Sequence, residues 1–139
     1  TLAACRAMRW GDKAMERINA QNVTPYRNPI SHAVRTGNLV FLSGITPFKG
    51  DREIAREDFP AQLRQVLSNI AEILAETGSR MDLMVKTTIY LRRKQDFEVM
   101  NDICRDAFTA GFPARTTIIT ELSHPDFLVQ IDGVAECVT

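Results

Sequence analysis

Arg115 lies in the run Gly111-Phe112-Pro113-Ala114-Arg115-Thr116-Thr117-Ile118-Ile119-Thr120, where a glycine and a proline close one element and a β-rich segment begins. At the mouth of a strand a guanidinium is held in place by the sheet, and its planar fork suits a carboxylate bidentately. The chemistry that follows is the capture of a small acidic ligand. Further on, Gln130 and Asp132 project from one side of the last β-rich run, roughly 6.5–7 Å apart from the rise of a strand. An amide at 130 can orient a water molecule but cannot accept its proton near neutral pH, whereas the carboxylate of Asp132 can. Asn101 interrupts a helical pattern, where asparagine is a poor helix former; a hydrogen-bonding duty and a solvated side chain both account for it. Ser43 before Gly44 either ends a strand or offers a hydroxyl to a site. His32 and His124 have the chemistry of proton shuttles, although a strand position and a loop position beside Pro125 suit structural roles, and Glu121 reads as a solvated loop acid. Cys5, Cys104 and Cys137 are far apart and odd in number, with no metal-ligand or disulfide spacing, and Cys104 falls on an apolar helical stripe.

These side chains need elements to aim them. Residues 31–35 and 39–43 read as two strands joined through Thr36-Gly37-Asn38, a hairpin turn. Asp58 caps a helix whose Leu63, Val66, Leu67, Ile70, Ile73 and Leu74 repeat at 3.6-residue spacing up to Gly78. In residues 85–92, Val85, Thr87, Ile89 and Leu91 alternate with Lys86, Thr88, Tyr90 and Arg92, a strand with one buried face. Phe97, Met100, Ile103, Cys104, Ala107 and Phe108 define a second helix, and strands follow over 116–120 and 127–135. The order is β-β-α-β-α-β-β. Two helices cover one face of such a sheet. The other face, expected to carry Leu128 and Val134 beside Gln130 and Asp132, is partly apolar and calls for a second copy of the chain. Upstream, residues 1–28 are expected to form an N-terminal extension, helical over 2–19, ahead of a single domain at 29–139.

The bulk numbers narrow the function. The chain has 139 residues, 45% hydrophobic and 24% charged, enough for one cored domain and unlike a disordered segment. Seventeen basic and seventeen acidic side chains cancel, so no global field draws the protein to nucleic acid. The charge is uneven: the first 29 residues carry five Lys or Arg against two acids, and after Arg115 there are four acids and no Lys or Arg. No apolar run reaches membrane-spanning length and no signal-peptide layout opens the chain, so a cytoplasmic protein is expected.

Ser31-His32-Ala33-Val34-Arg35, Gly37-Asn38-Leu39-Val40-Phe41-Leu42-Ser43-Gly44, Val85-Lys86-Thr87-Thr88-Ile89-Tyr90-Leu91, Asn101 and Phe112-Pro113-Ala114-Arg115 together resemble the reactive intermediate deaminase family (RidA, or YjgF-like proteins), over roughly residues 28–137. The resemblance implies a chorismate-mutase-like α+β fold with a mixed sheet and two helices on one face. It also implies a homotrimer with ligand sites between subunits, and hydrolysis of enamines and imines without metal or organic cofactor. It assigns Arg115 to the substrate carboxylate and Ser43 and Asn101 to the site. At the positions where the family's deaminases carry a water-handling glutamate, a tyrosine and often a cysteine, this sequence has Gln130, Ile30 and Thr117. The expected function is therefore cofactor-free deamination of a small carboxylate-bearing enamine or imine, 2-aminoacrylate-like or 2-aminomuconate-like, with Arg115 and Gln130 as the catalytic pair. Ser43, Asn101, Thr117 and Ile30 join Arg115 in binding. The alternative is a non-catalytic ligand-binding or regulatory trimer, and the ribonuclease label borne by some relatives is the reading the charge balance favours least. Neither nucleic acid nor a membrane is an expected partner.

Overall fold

The computed structural model describes residues 14–138 and forms one six-stranded sheet with two helices against one face. The elements are β1 (Glu16–Ile18), β2 (Ala33–Thr36), β3 (Leu39–Ile45), α1 (Phe59–Thr77), β4 (Met84–Leu91), α2 (Phe97–Ala107), β5 (Ala114–Ile119) and β6 (Val129–Glu136). Across the sheet they run β1-β2-β3-β6-β4-β5, with β4 and β5 parallel and every other neighbour antiparallel.

Helix α1 forms where its sequence says it should. Asp58 accepts a hydrogen bond from the Ala61 N–H at 3.0 Å, Pro60 occupies the first turn, and Gly78 closes the helix with φ 80°. Its stripe of Leu63, Val66, Ile70, Ile73 and Leu74 packs with Val40, Leu42, Ile89, Ile131 and Ala135 from the sheet. Two polar side chains in α1 do structural work. Gln62 is wholly buried; its amide donates to the carbonyls of Ala55 (3.0 Å) and Asp126 (2.9 Å) and accepts from the Leu128 N–H (2.8 Å). Asn69 donates to the carbonyls of Thr46 and Phe48, fixing the loop after β3.

The opposite face of the sheet is uncovered in the single chain. Register places Phe41, Val134 and Lys86 on it, with Asp132 and Thr116 about Thr88, and Gln130 and Ile118 about Tyr90. Phe41 is 45% exposed there. Two irregularities shape this surface. A register shift separates Leu42 from Ile45 in β3, and another falls between Met84 and Lys86 in β4, opposite Val134 and Ala135. A Cβ on Gly133 would stand 2.5 Å from the Lys86 carbonyl oxygen, so only glycine lets β4 and β6 approach there.

Two expectations are corrected. Residues 16–18, expected in a helix over 2–19, are β1, because Glu16, Arg17 and Ile18 pair with Arg35, Val34 and Ala33; residues 1–13 of that stretch lie outside the described residues. Leu128, expected on the uncovered face, is 3% exposed and belongs to the core, since β6 begins only at Val129. Upstream of residue 29, Ala20 and Val23 also lie in the core.

Candidate active site

Strand β5 is an edge, and its parallel register with β4 sets Arg115 beside Thr87. Because Thr87 points to the helix-covered face, Arg115 does too. There the sheet and α2 diverge around a cavity of about 360 Å³, lined by Thr87, Asn101, Cys104, Arg105, Phe112 and Arg115 with Ile89, Phe108 and Pro113. Asn101, Cys104 and Arg105 share one face of α2 by their spacing of three and four. The Arg115 guanidinium carbon lies 5.8 Å from the Phe97 ring centroid, and among the described residues Arg115 makes no ion pair. Among the described residues, none that lines the cavity carries a carboxylate. Burial pushes the Cys104 thiol up, and the Arg115 charge pulls against it, so the cysteine is a neutral wall that senses the arginine. The Asn101 amide has no hydrogen-bond partner among the described residues. Phe112, 67% exposed, overhangs the mouth.

The other anticipated site residues divide between the two faces. Thr117 follows Arg115 on the helix side and lines an adjoining groove with Lys94, Phe97 and Ile119; its hydroxyl is buried and has no hydrogen-bond partner among the described residues. Ser43, Ile30 and Gln130 lie on the uncovered face. The Ser43 hydroxyl donates to the Ser31 carbonyl at 2.6 Å, and Ile30, 48% exposed, borders a shallow groove with Arg17, Val34 and Ser43. The Gln130 amide nitrogen lies where a Cβ on Gly44 would come within 2.0 Å, so the glycine after Ser43 makes room for it. One chain thus brings Arg115, Asn101 and Thr117 to one side and Ser43, Ile30 and Gln130 to the other. Gln130 and Arg115 are separated by the sheet.

Of the remaining polar candidates, Asp132, His32 and His124 have partners. Asp132 accepts from the Tyr90 hydroxyl at 2.9 Å, and that hydrogen bond is the main reason the Tyr90 phenol is pushed up, with burial and the carboxylate charge adding to it. His32 is buried: Nδ1 accepts from the Ala20 N–H at 3.0 Å, so Nε2 donates to the Thr24 carbonyl at 3.1 Å. His124 accepts from the Asp126 N–H through Nδ1 and stacks on Phe127. Upstream of Ile30, the Tyr26 hydroxyl donates to the Gly44 carbonyl at 3.0 Å, and burial pushes its phenol up. Glu121 is exposed. Arg105 and Thr87 were not among the residues anticipated from sequence. Both had a signal, Arg105 one turn after Asn101 and Thr87 as the polar member of the apolar face of β4. Among the described residues no three His, Cys, Asp or Glu side chains converge to hold a metal ion, and no helix is long and apolar enough to cross a membrane.

This arrangement has counterparts among known proteins. The family model described as Endoribonuclease L-PSP matches residues 21–137. A RutC family protein of Pyrococcus horikoshii is 33% identical over 121 residues, covering 86% of this chain and 96% of its own. A 2-iminobutanoate/2-iminopropanoate deaminase of Dermatophagoides farinae is 33% identical over 107 residues, covering 76% of this chain and 84% of its own. The crystal structure of YyfA from Yersinia pestis, described as a conserved Rid family protein of unknown function, superimposes with a TM-score of 0.84 at 32% identity, covering 88% of this chain and 99% of that one. With the family model running through both groups of residues and such relatives matched over most of their length, the chain belongs to the RidA/YjgF family, whose family model is described as endoribonuclease L-PSP.

Proposed function

We propose that this protein is a cofactor-free deaminase of a small enamine or imine bearing a carboxylate, working as a homotrimer. The observation that carries this reading is Arg115: a guanidinium without an ion-pair partner among the described residues, in a cavity whose lining holds no carboxylate. Such a site favours an anion, and a carboxylate accepts two parallel N–H donors from the fork. The names of relatives such as the imine deaminase of Dermatophagoides farinae support the choice of reaction.

An enamine first takes a proton at its β-carbon to become the imine. With the carboxylate held, water approaches the C=N carbon from one side. A C–O bond forms, a proton passes from oxygen to nitrogen, and the C–N bond of the resulting carbinolamine breaks. Imine and water become a 2-oxo acid and ammonia, with no net change in oxidation state. Asn101 is within the cavity to hydrogen-bond the nitrogen or the water. Gln130 lies behind the sheet and can serve only a cavity on a neighbouring copy, which is why the reading includes the trimer. The partly apolar face with Phe41, Ile118 and Val134, and the exposed edge strand that carries Arg115, support association through these surfaces. There Ser43, Ile30 and Gln130 of one subunit would close the Arg115 cavity of the next.

A non-catalytic binding trimer is the second reading, favoured by one observation: no side chain lining the cavity, nor Gln130, is a general base at neutral pH. The endoribonuclease description is not adopted, since strand cleavage through a ribose hydroxyl calls for the acid–base pair that this lining lacks. To decide between the first two, 2-aminoacrylate is generated enzymatically and its loss followed. Wild type should accelerate the loss. Arg115→Ala should lower kcat/KM by roughly 100-fold, as expected for a lost bidentate charged contact. Gln130→Glu should add an acid limb to the pH–rate profile that wild type lacks, because the carboxylate loses its base function as it is protonated. An inert wild type with an active Gln130→Glu variant would establish the binding reading instead.

A further inference from the structure

We infer that the ligand of this cavity carries two carboxylates, the second one held by Arg105. The inference rests on the deaminase reading for its chemistry, where the substrate becomes the imine or enamine of a dicarboxylic amino acid, but not for its binding claim.

Arg105 lines the same cavity as Arg115, and the lining offers neither of them a carboxylate. Outside the cavity Arg105 meets one acid, Asp102, through a single 3.0 Å contact from Nη1, with both side chains mostly in solvent. A pair of that kind holds its arginine weakly, and the remaining N–H donors of the fork are free for a ligand. The same lining carries apolar side chains, Ile89, Phe108 and the exposed Phe112, beside the polar Thr87 and Asn101. Two guanidiniums with apolar surface match a short hydrocarbon chain charged at both ends. Size agrees. In the single chain, before any neighbouring subunit closes it, the cavity of about 360 Å³ has room for a chain longer than a three-carbon imino acid. Arg105 also sits in the last turn of α2, where a cation is favoured by the helix dipole whether or not it binds anything. The ligand claim therefore needs a readout that a purely helical role would leave alone.

That readout is the preference between two stable 2-oxo acids, measured by titration calorimetry on the intact protein. Wild type should bind 2-oxoglutarate about tenfold or more tightly than 2-oxobutanoate, as one additional charge-assisted hydrogen bond provides. Arg105→Gln should collapse that ratio toward one, whereas Asp102→Asn, which frees Arg105, should keep or increase it. A wild type without the preference, or an Arg105→Gln variant that retains it, overturns the assignment. In parallel, the imines of glutamate and alanine are generated by amino-acid oxidases and their hydrolysis followed. Hydrolysis of neither, with the binding preference intact, would reject deamination while supporting the two-carboxylate site. Hydrolysis of both at equal kcat/KM, with no binding preference, would reject the second carboxylate and leave deamination standing.

Discussion

At the scale of single residues, the cavity is organised by Arg115, which makes no ion pair among the described residues, and its neighbour Cys104 reports on it. Burial raises the Cys104 thiol and the Arg115 charge opposes that rise. Arg115→Ala removes the opposing charge, so the thiol should ionise at still higher pH. Alkylation requires the thiolate, and the pH dependence of Cys104 labelling by iodoacetamide, followed by peptide mass spectrometry, separates ionisation from access. The midpoint should move upward in Arg115→Ala even if the plateau rises through a wider mouth. An unmoved midpoint would mean that the two groups are not electrostatic neighbours. Arg115 was legible in the sequence because a guanidinium at a strand start has a specific chemical use, and Asn101 because it costs helix propensity. Arg105 had the weaker signal, its place one turn after Asn101, which competes with an i,i+3 pair with Asp102 that gives a surface arginine an ordinary explanation.

At the scale of elements, α1 was legible from its stripe, its Asp58 cap and its Gly78 terminus, all local signals. Strand β1 was not: three residues, two of them charged, have no alternation to display, and only distant pairing with β2 makes them extended. The same limit hid the division of the site. Alternation in β4 shows that Thr87 is buried and Tyr90 is not, but the register that sets Arg115 beside Thr87 and Gln130 beside Tyr90 is tertiary information. The elements are also stitched by buried polar groups, and Gln62 is the strongest case. Gln62→Leu leaves the Asp126 carbonyl and the Leu128 N–H without these partners and removes one of the two donors to the Ala55 carbonyl, which keeps the Asp58 N–H. The expected loss is roughly 2–4 kcal/mol, read as a lower urea midpoint with unchanged slope. Gln65→Leu, one turn along and bonded only to Asn69, should cost less than about 1 kcal/mol. Equal effects at the two positions would remove Gln62 from its bridging role.

At the scale of the whole molecule, a single chain leaves the work unfinished. The proposed carboxylate clamp, Arg115, lies on an edge strand, and the proposed water-orienting residue, Gln130, lies behind the sheet beside Gly44. Association of three chains across the uncovered face would bring one subunit's Gln130 surface to the next subunit's Arg115 cavity. The direct test of this account is a crystal structure with 2-oxobutanoate, the stable keto product of the corresponding imine. The carboxylate should sit bidentate on Arg115, with the carbonyl carbon toward Asn101 and Ser43 and Ile30 of a second subunit closing the cavity. A 2-oxobutanoate bound elsewhere with Arg115 free, or bound to Arg115 in a chain that has no neighbour at the cavity, would contradict it.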